Sequence, residues 1–403
     1  MIDETEARQR VADCLSRLPA IELPLDETLG KVLAADVASD IDSPPYDKAL
    51  VDGYAVCSQD FAEANAEVVT TLRVLEEVTA GRTPSQPLRP GCATRIMTGA
   101  PLPEGCDAVV MIEQSQLDGD QVRLTGEAQP EQHLLRAGAA MRRGDLVLRA
   151  GVVIRAAEIG VLAEVGCARP SVVPAPTVAI LSTGDELVPH DQTPTLGQIR
   201  NSNGPMLAAM ARQAGAKVMS LGIATDDAAD LERLIREGLR ADMLVLSGGV
   251  SAGVLDLAPQ VLRQCGVDEV FHKVRLKPGK PVWFGRSAAG VPVFGLPGNP
   301  VGSLVCFERL VRPALALMRG LSDPFEDRSV DARLAAPFSH RGPRPTYRPS
   351  RLCREEGVHV VAPVAWQGSA DLCGIARANC LAAFPAGDRD YAAGEFVRCL
   401  PLD

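Results

Sequence analysis

Thr177-Val-Ala-Ile-Leu181 runs directly into Ser182-Thr-Gly-Asp-Glu186. A short apolar run bounded by turn residues reads as a buried strand, and a loop of Ser, Thr, Gly and acids at its end lets a backbone approach a ligand closely. The residues that follow repeat the pattern. An amphipathic helix is predicted over 203–214 and ends at Gly215. Strands are predicted over 217–223, 243–246, 269–276 and 291–294, with helices over 228–239, 255–265 and 300–318. Strands and helices alternating at this length predict a parallel sheet covered on both faces. In such a sheet ligands bind beyond the carboxyl ends of the strands.

Three strand-end loops are candidates. The first is Ser182-Thr-Gly-Asp-Glu186, the second Ser247-Gly-Gly-Val-Ser-Ala-Gly253 followed by Asp256, and the third Gly295-Leu-Pro-Gly-Asn-Pro300. Gly- and Ser-rich loops bring backbone N–H groups to an anion, and the next helix adds its positive end. A single such loop is more often a tight turn; three on one sheet edge favour a ligand. Asp185, Glu186, Asp226, Asp227 and Asp256 punctuate the same edge. Carboxylates beside a polyanion call for a hard cation, and oxygen ligands suit Mg²⁺. Helix capping competes with that reading, most strongly at Asp227. Downstream stands His272-Lys-Val-Arg-Leu-Lys-Pro-Gly-Lys-Pro281. Read as a strand, it puts Lys273, Arg275 and Lys277 on one face, with Lys280 in the Pro-Gly turn, as an oxyanion clamp.

The flanks differ. Ala7, Val11, Cys14, Leu15 and Leu18 recur at helical spacing, and 156–166 reads as a helix closed by glycine. Short strand-like runs cut by Gly and Pro fill about 41–137 and 325–403, which predicts two β-rich parts. The 403 residues call for several domains. A net charge of −10 with 4% aromatics argues against a nucleic-acid partner. No apolar run is long enough to span a bilayer, and Met1-Ile2-Asp3-Glu4 lacks a signal-peptide pattern. The 11 cysteines include no Cys-x-x-Cys pair, so reduced thiols in a cytoplasmic protein are expected.

Taken in order, Ser43-Pro-Pro-Tyr-Asp47, Asp52-Gly-Tyr-Ala55, Arg95-Ile-Met-Thr-Gly-Ala-Pro101, Glu104-Gly-Cys-Asp-Ala-Val-Val-Met111, Ser182-Thr-Gly-Asp-Glu-Leu187, Ser247-Gly-Gly-Val-Ser251, Lys277-Pro-Gly-Lys-Pro281 and Leu296-Pro-Gly-Asn-Pro300 resemble the molybdopterin molybdenumtransferase (MoeA) family, which includes the E domain of gephyrin. The resemblance covers nearly the whole chain. It implies an α/β plus β, multi-domain fold with a central MogA-like parallel α/β domain at 174–322. A β-rich lobe at 41–137, a discontinuous linking domain at 1–40 and 138–173, and a β-barrel-like C-terminal domain at 323–403 complete it. It implies an elongated homodimer that inserts molybdate into adenylylated molybdopterin with Mg²⁺ and releases AMP.

By position, the resemblance makes Asp226 and Asp256 metal- or phosphate-site carboxylates and Glu186 a pterin- or phosphate-side acid. Ser247, Gly248, Gly249 and Ser251 form the cradle. Lys277, Lys280, Arg344 and Ser369 are the molybdate-side donors, with Pro297 and Pro300 as wall, and Asp52 and Thr98 come from the partner subunit. This chain departs from the family at Lys48-Ala-Leu-Val51, at Ala139-Ala140 where an acidic pair is expected, at Val254-Leu255, and at Gly302, where a serine is usual. Two other readings stay open: a paralogue that binds pterin or cofactor without efficient turnover, and a pterin adenylyltransferase. Molybdate and tungstate are near-isosteric, and nothing in the sequence separates them.

Overall fold

The computed structural model describes residues 1–62, 69–250 and 257–402. The chain forms two compact units. One comprises Met1–Ala35, Ala150–Arg155 and Arg169–Asp403, the other Asp36–Arg149 and Ala156–Ala168.

The first unit is built on a six-stranded sheet. Its strands are Thr177–Thr183, Lys217–Ala224, Met243–Ser247, Val267–His272, Trp283–Ser287 and Pro292–Leu296. Numbered one to six in chain order, they lie 2-1-3-6-5-4. Strands one, two, three and six are parallel, while four and five run antiparallel at the edge. The sheet is therefore mixed rather than wholly parallel. Trp283–Ser287, which the sequence pattern did not announce, is the reason. The link from 273 to 282 is too short for a helical crossover, which takes roughly a dozen residues or more.

Side chains alternate across strand one as the two-residue period requires. Val178 and Ile180 enter one core with Leu207, Met210, Phe307 and Leu315. Ala179 and Leu181 enter the other with Leu231, Ile235, Val261 and Leu262. Helices Asn203–Gln213 and Pro300–Cys306 thus cover one face, and Ala228–Gly238 and Ala258–Gln264 the other. The expected closing helix is present but passes through a π turn at Phe307–Val311 before Arg312–Met318.

The expected strand over 269–276 ends at His272. Lys273 has φ 72, a left-handed backbone that breaks the alternation. Val274 and Leu276 are nevertheless fully buried, which is why the sequence mimics a strand there.

Residues 330–401 form a closed five-stranded barrel of Val330–Leu334, Val358–Pro363, Thr346–Glu355, Cys380–Phe384 and Phe396–Pro401. The N-terminal helix Glu4–Asp13, capped by Asp3, buries Ala7 and Val11 in the first core. Glu4 accepts a hydrogen bond from the Tyr347 hydroxyl at 2.7 Å and pairs with Arg309 at 2.5 Å. The guanidinium of Arg309 also lies over the Tyr347 ring. Burial first, and Glu4 second, push the Tyr347 phenol above its usual range.

The second unit carries a six-stranded sheet in which Gly53–Val56 lies between Ala108–Met111 and Cys92–Ile96. Only glycine fits at 53, since a Cβ there would stand 1.9 Å from the Val110 carbonyl oxygen. All eleven cysteines are free.

Glu4 and Arg309 are both mostly shielded from solvent, with about 14% and 13% of their side chains exposed. Glu4→Gln keeps the shape but deprives Arg309 of its paired carboxylate, leaving only the weaker pull of Asp327. Breaking a buried pair this way costs about 3 kcal/mol, so the denaturation midpoint of this unit should fall clearly; an unchanged midpoint would show the pair to be hydrated. Tyr347 adds a pH signature. An unfolded tyrosine ionises near about pH 10 while the folded one holds its proton, so stability should fall as pH rises beyond that point.

Candidate functional site

The carboxyl ends of strands one, two, three and six converge on a cavity of about 740 Å³. Strand one contributes Thr183 and Glu186, strand two Asp226, strand three Ser247, Gly248 and Gly249, and strand six Pro297 and Pro300. The order 2-1-3 places it at a reversal of the sheet's winding, where α/β sheets bind ligands. The cradle is tight. Gly248 has φ 93, and a Cβ on it would meet the Thr183 carbonyl oxygen at 2.5 Å. Its N–H donates to the Leu296 carbonyl at 3.1 Å, so the loops after strands three and six are fastened together.

The acids separate by role. Asp227 caps helix Ala228–Gly238, accepting from the N–H groups of Ala229 and Asp230. Asp226 faces the cavity and latches the loop after strand one: its N–H donates to Asp185 Oδ1 at 2.9 Å, and Asp185 N–H donates to Asp226 Oδ2 at 3.4 Å. Asp226 and Glu186 are the cavity's carboxylates among the described residues. Ser251 and Asp256 lie outside the described residues. Among those described, no group of three or more His, Cys, Asp or Glu is placed to hold a metal by itself. Mg²⁺ asks less of a protein, commonly one or two carboxylates with substrate phosphates supplying the rest. Asp226 and Glu186 fit that demand.

Several lining residues carried no sequence signal. Asn203 is only 8% exposed, and its Nδ2 donates to Ser247 Oγ at 2.9 Å and to the Gly298 carbonyl at 2.7 Å. The carbonyl can only accept, which fixes the amide orientation. Its Oδ1, shielded from solvent, has no partner among the described residues. Asn201 accepts from Ser182 Oγ at 3.0 Å, and Arg200 also lines the cavity.

A second cavity of about 500 Å³ shares Pro281, Pro297 and Asn299 with the first. The structure brings Lys277, Lys280, Arg344 and Ser369 to it, with Gly302 in its wall. Lys273 and Arg275 do not reach it. Arg275 Nη2 donates instead to the Pro343 carbonyl, because the backbone turns at Lys273. The expected clamp of Lys273, Arg275 and Lys277 from one strand face with Lys280 from the turn is thus corrected to Lys277 and Lys280 with arginine from the barrel. Val301 N–H donates to the Ser369 carbonyl at 3.0 Å, fixing the 368–369 loop against the helix. Ser303, next to Gly302, is buried and gives its hydroxyl to the Pro297 carbonyl.

Asp52 and Thr98 sit together in the second unit. Asp52 Oδ1 accepts from both the hydroxyl and the N–H of Thr98, each at 2.7 Å. The hydroxyl first, and the N–H second, hold its carboxyl below the usual range.

Three family models match in sequence order: the MoeA N-terminal region (domain I and II) at residues 2–166, a probable molybdopterin binding domain at 179–317, and the MoeA C-terminal region (domain IV) at 331–402. Molybdopterin molybdenumtransferase 2 of Mycobacterium tuberculosis is 36% identical over 397 residues, 96% of each chain. The chain belongs to the MoeA family. Molybdopterin molybdenumtransferase of Staphylococcus aureus is 33% identical over 97% of this chain and 93% of its own. Among solved structures, a molybdopterin biosynthesis MoeA protein from Pyrococcus horikoshii superposes with a TM-score of 0.82 at 30% identity. It covers 100% of this chain and 99% of its own. A second structure of a MoeA protein from that organism gives 0.84 at 27% identity. The MoeA fold, with its α/β domain and closed barrel, is therefore that of this chain.

The Asp52–Thr98 geometry makes a direct prediction. Thr98→Ala removes the hydroxyl and keeps the N–H, so the Asp52 carboxyl should titrate closer to an ordinary aspartate. Carboxyl-carbon NMR reads this; an unmoved titration would mean the hydroxyl bond is absent in solution.

Proposed function

We propose that this MoeA-family enzyme of molybdenum cofactor biosynthesis inserts molybdate into adenylylated molybdopterin, with Mg²⁺, and releases AMP. The observation that carries the reading is the shared wall. A Gly-rich cavity edged by two acids opens beside one lined by Lys277, Lys280 and Arg344 and, among the described residues, by no acid. The first suits a phosphate-bearing pterin nucleotide, the second an oxyanion, and Pro297 and Pro281 stand between them.

The glycines of the Ser247, Gly248 and Gly249 cradle let backbone approach phosphate closely, the Gly248 N–H itself being spent on the Leu296 carbonyl. Asp226 and Glu186, with Asp256 by sequence, would hold Mg²⁺, which neutralises phosphate charge and polarises the bond to be broken. Molybdate is a dianion that must shed water to enter. Convergent charged donors offset that cost, and the Arg344 fork can give two bonds at once. Pro297, Pro300 and Pro281 wall out solvent where the two ligands meet. Asp52 and Thr98 are proposed to act from a second copy of the chain, which makes the working form a homodimer. A cytoplasmic location fits a chain in which no described helix is long and apolar enough to cross a membrane.

A binding role without efficient turnover is favoured by one observation. Gly302 offers no hydroxyl, and the neighbouring Ser303 hydroxyl is occupied by Pro297. A Cβ at 302 would stand 3.3 Å from Pro297 Cβ, tight contact in the shared wall. Product analysis separates the readings: AMP with metal-bound pterin, binding without AMP, or pyrophosphate from ATP for an adenylyltransferase.

Lys280→Ala and Arg344→Ala each lose a charged hydrogen bond of about 1.5–3 kcal/mol, so the molybdate needed for single-turnover AMP release should rise roughly tenfold to a hundredfold, with pterin-nucleotide affinity unchanged. Loss of nucleotide binding with normal molybdate dependence would put the cavity on the wrong ligand. Light scattering should give twice the 42.6 kDa chain mass; a fully active monomer would end the shared-site reading.

A further inference from the structure

The cation-lined cavity contains one more arginine than the proposed function uses. Arg348 lies in barrel strand Thr346–Glu355, two residues from buried Thr346, and lines the cavity beside Arg344. Its guanidinium carbon sits 4.7 Å from the centre of the Trp366 ring, and Trp366 lines the same cavity. Its one hydrogen bond among the described residues runs from Nη2 to the Val364 carbonyl at 3.2 Å. Nε, without a partner among the described residues, is closed to a ligand as it is to water, which leaves the Nη groups as the donors to meet one. No carboxylate pairs with Arg348 among the described residues, and burial depresses its pKa.

Each feature bears on function. A stacked guanidinium has lost its rotational freedom before any ligand arrives, so less is lost on binding. A half-buried charge that no carboxylate among the described residues balances is costly unless something anionic completes it. The cavity already gathers Lys277, Lys280 and Arg344 with no acid in its wall among the described residues, so none of them fills that role. Other buried arginines of the same unit are better satisfied: Arg309 pairs with Glu4 at 2.5 Å, Arg312 with Glu308 at 2.7 Å, and Arg319 donates to the Ala214 and Gly30 carbonyls, whereas Arg348 has a single carbonyl partner among the described residues.

We propose that Arg348, clamped on the indole of Trp366, is a further oxyanion-binding residue of this cavity and sets how tightly the chain holds its tetrahedral dianion. The proposal rests on the reading of this cavity as the oxyanion site. Arg348 supplies its donors from the barrel side, while Gly302 on helix Pro300–Cys306 supplies no side-chain donor. Trp366 is the positioning residue: it holds the guanidinium plane and need not touch the ligand.

The test is calorimetric titration of the full-length protein with molybdate alone and with tungstate alone, which reads binding without turnover. Arg348→Ala should weaken both oxyanions about tenfold or more and leave pterin-nucleotide affinity and the melting temperature as they were. Arg348→Lys retains charge without the planar fork and should fall between. Trp366→Leu removes the stacking face and should weaken oxyanion binding less than Arg348→Ala does, whereas Trp366→Phe, which keeps a face, should stay close to the parent. If Lys280→Ala and Arg344→Ala weaken molybdate binding while Arg348→Ala and Arg348→Lys do not, Arg348 is structural and the proposal is wrong. If none of these variants changes molybdate binding, the cavity itself has been misread. Should Arg348→Ala fail to fold, Arg348→Lys against Trp366→Leu still decides: parent-like oxyanion binding in both overturns the proposal.

Discussion

The peptide unit of Lys277 is bonded to the barrel from both of its polar ends. Its N–H donates to the Pro345 carbonyl at 3.0 Å, and its carbonyl accepts from Tyr347 N–H at 2.8 Å. Arg344 Nη1 adds a bond to the neighbouring Leu276 carbonyl at 2.9 Å. These three bonds sew the turn between strands four and five of the α/β sheet to the rim of the barrel. The cationic cavity exists because of that seam: the lysines come from one side of it, and Arg344, Arg348 and Ser369 from the other. The Glu4–Arg309–Tyr347 cluster supports the seam from behind, since Tyr347 takes part in both.

Electrostatics follow from this placement rather than from the chain's overall balance. A net charge of −10 would repel molybdate at a distance. Close in, four cations with no lining acid among the described residues set a local field of opposite sign, and low-dielectric walls strengthen it. The acids are held apart in the neighbouring cavity, where Asp226 and Asp185 are tied to each other's backbone. Two ligands that repel one another can thus be bound side by side, each in surroundings that suit it.

The loops of this site were legible in the sequence because they obey local rules. Glycine is demanded where backbones touch, as at Gly248 against Thr183, and asparagine and proline punctuate strand ends. The helices were legible because their apolar faces recur at fixed spacing. What escaped were features set by tertiary partners. Lys273 adopts a left-handed backbone that no neighbouring residue announces, and the burial of Val274 and Leu276 counterfeits a strand. Trp283–Ser287, broken by Gly285, is a strand only because the sheet edge receives it. Arg348 and Trp366 are eighteen positions apart and become a pair only when the barrel closes. Asn203 looked like the first residue of a helix, and its role in tying Ser247 to Gly298 is visible only in the folded chain.

The seam at Lys277 also divides the molecule's chemistry into separable inheritances. Everything that forms the Gly-rich cavity's cradle lies within 179–317, the span matched by the molybdopterin-binding family model. Half of the cationic cavity lies beyond it, in the barrel span 331–402. A chain ending before the barrel would keep its nucleotide cradle and its two lysines, yet lose Arg344, Arg348 and Ser369 together with the backbone partners that hold Lys277 in place. The barrel thus supplies in one piece what the cationic cavity needs beyond its two lysines.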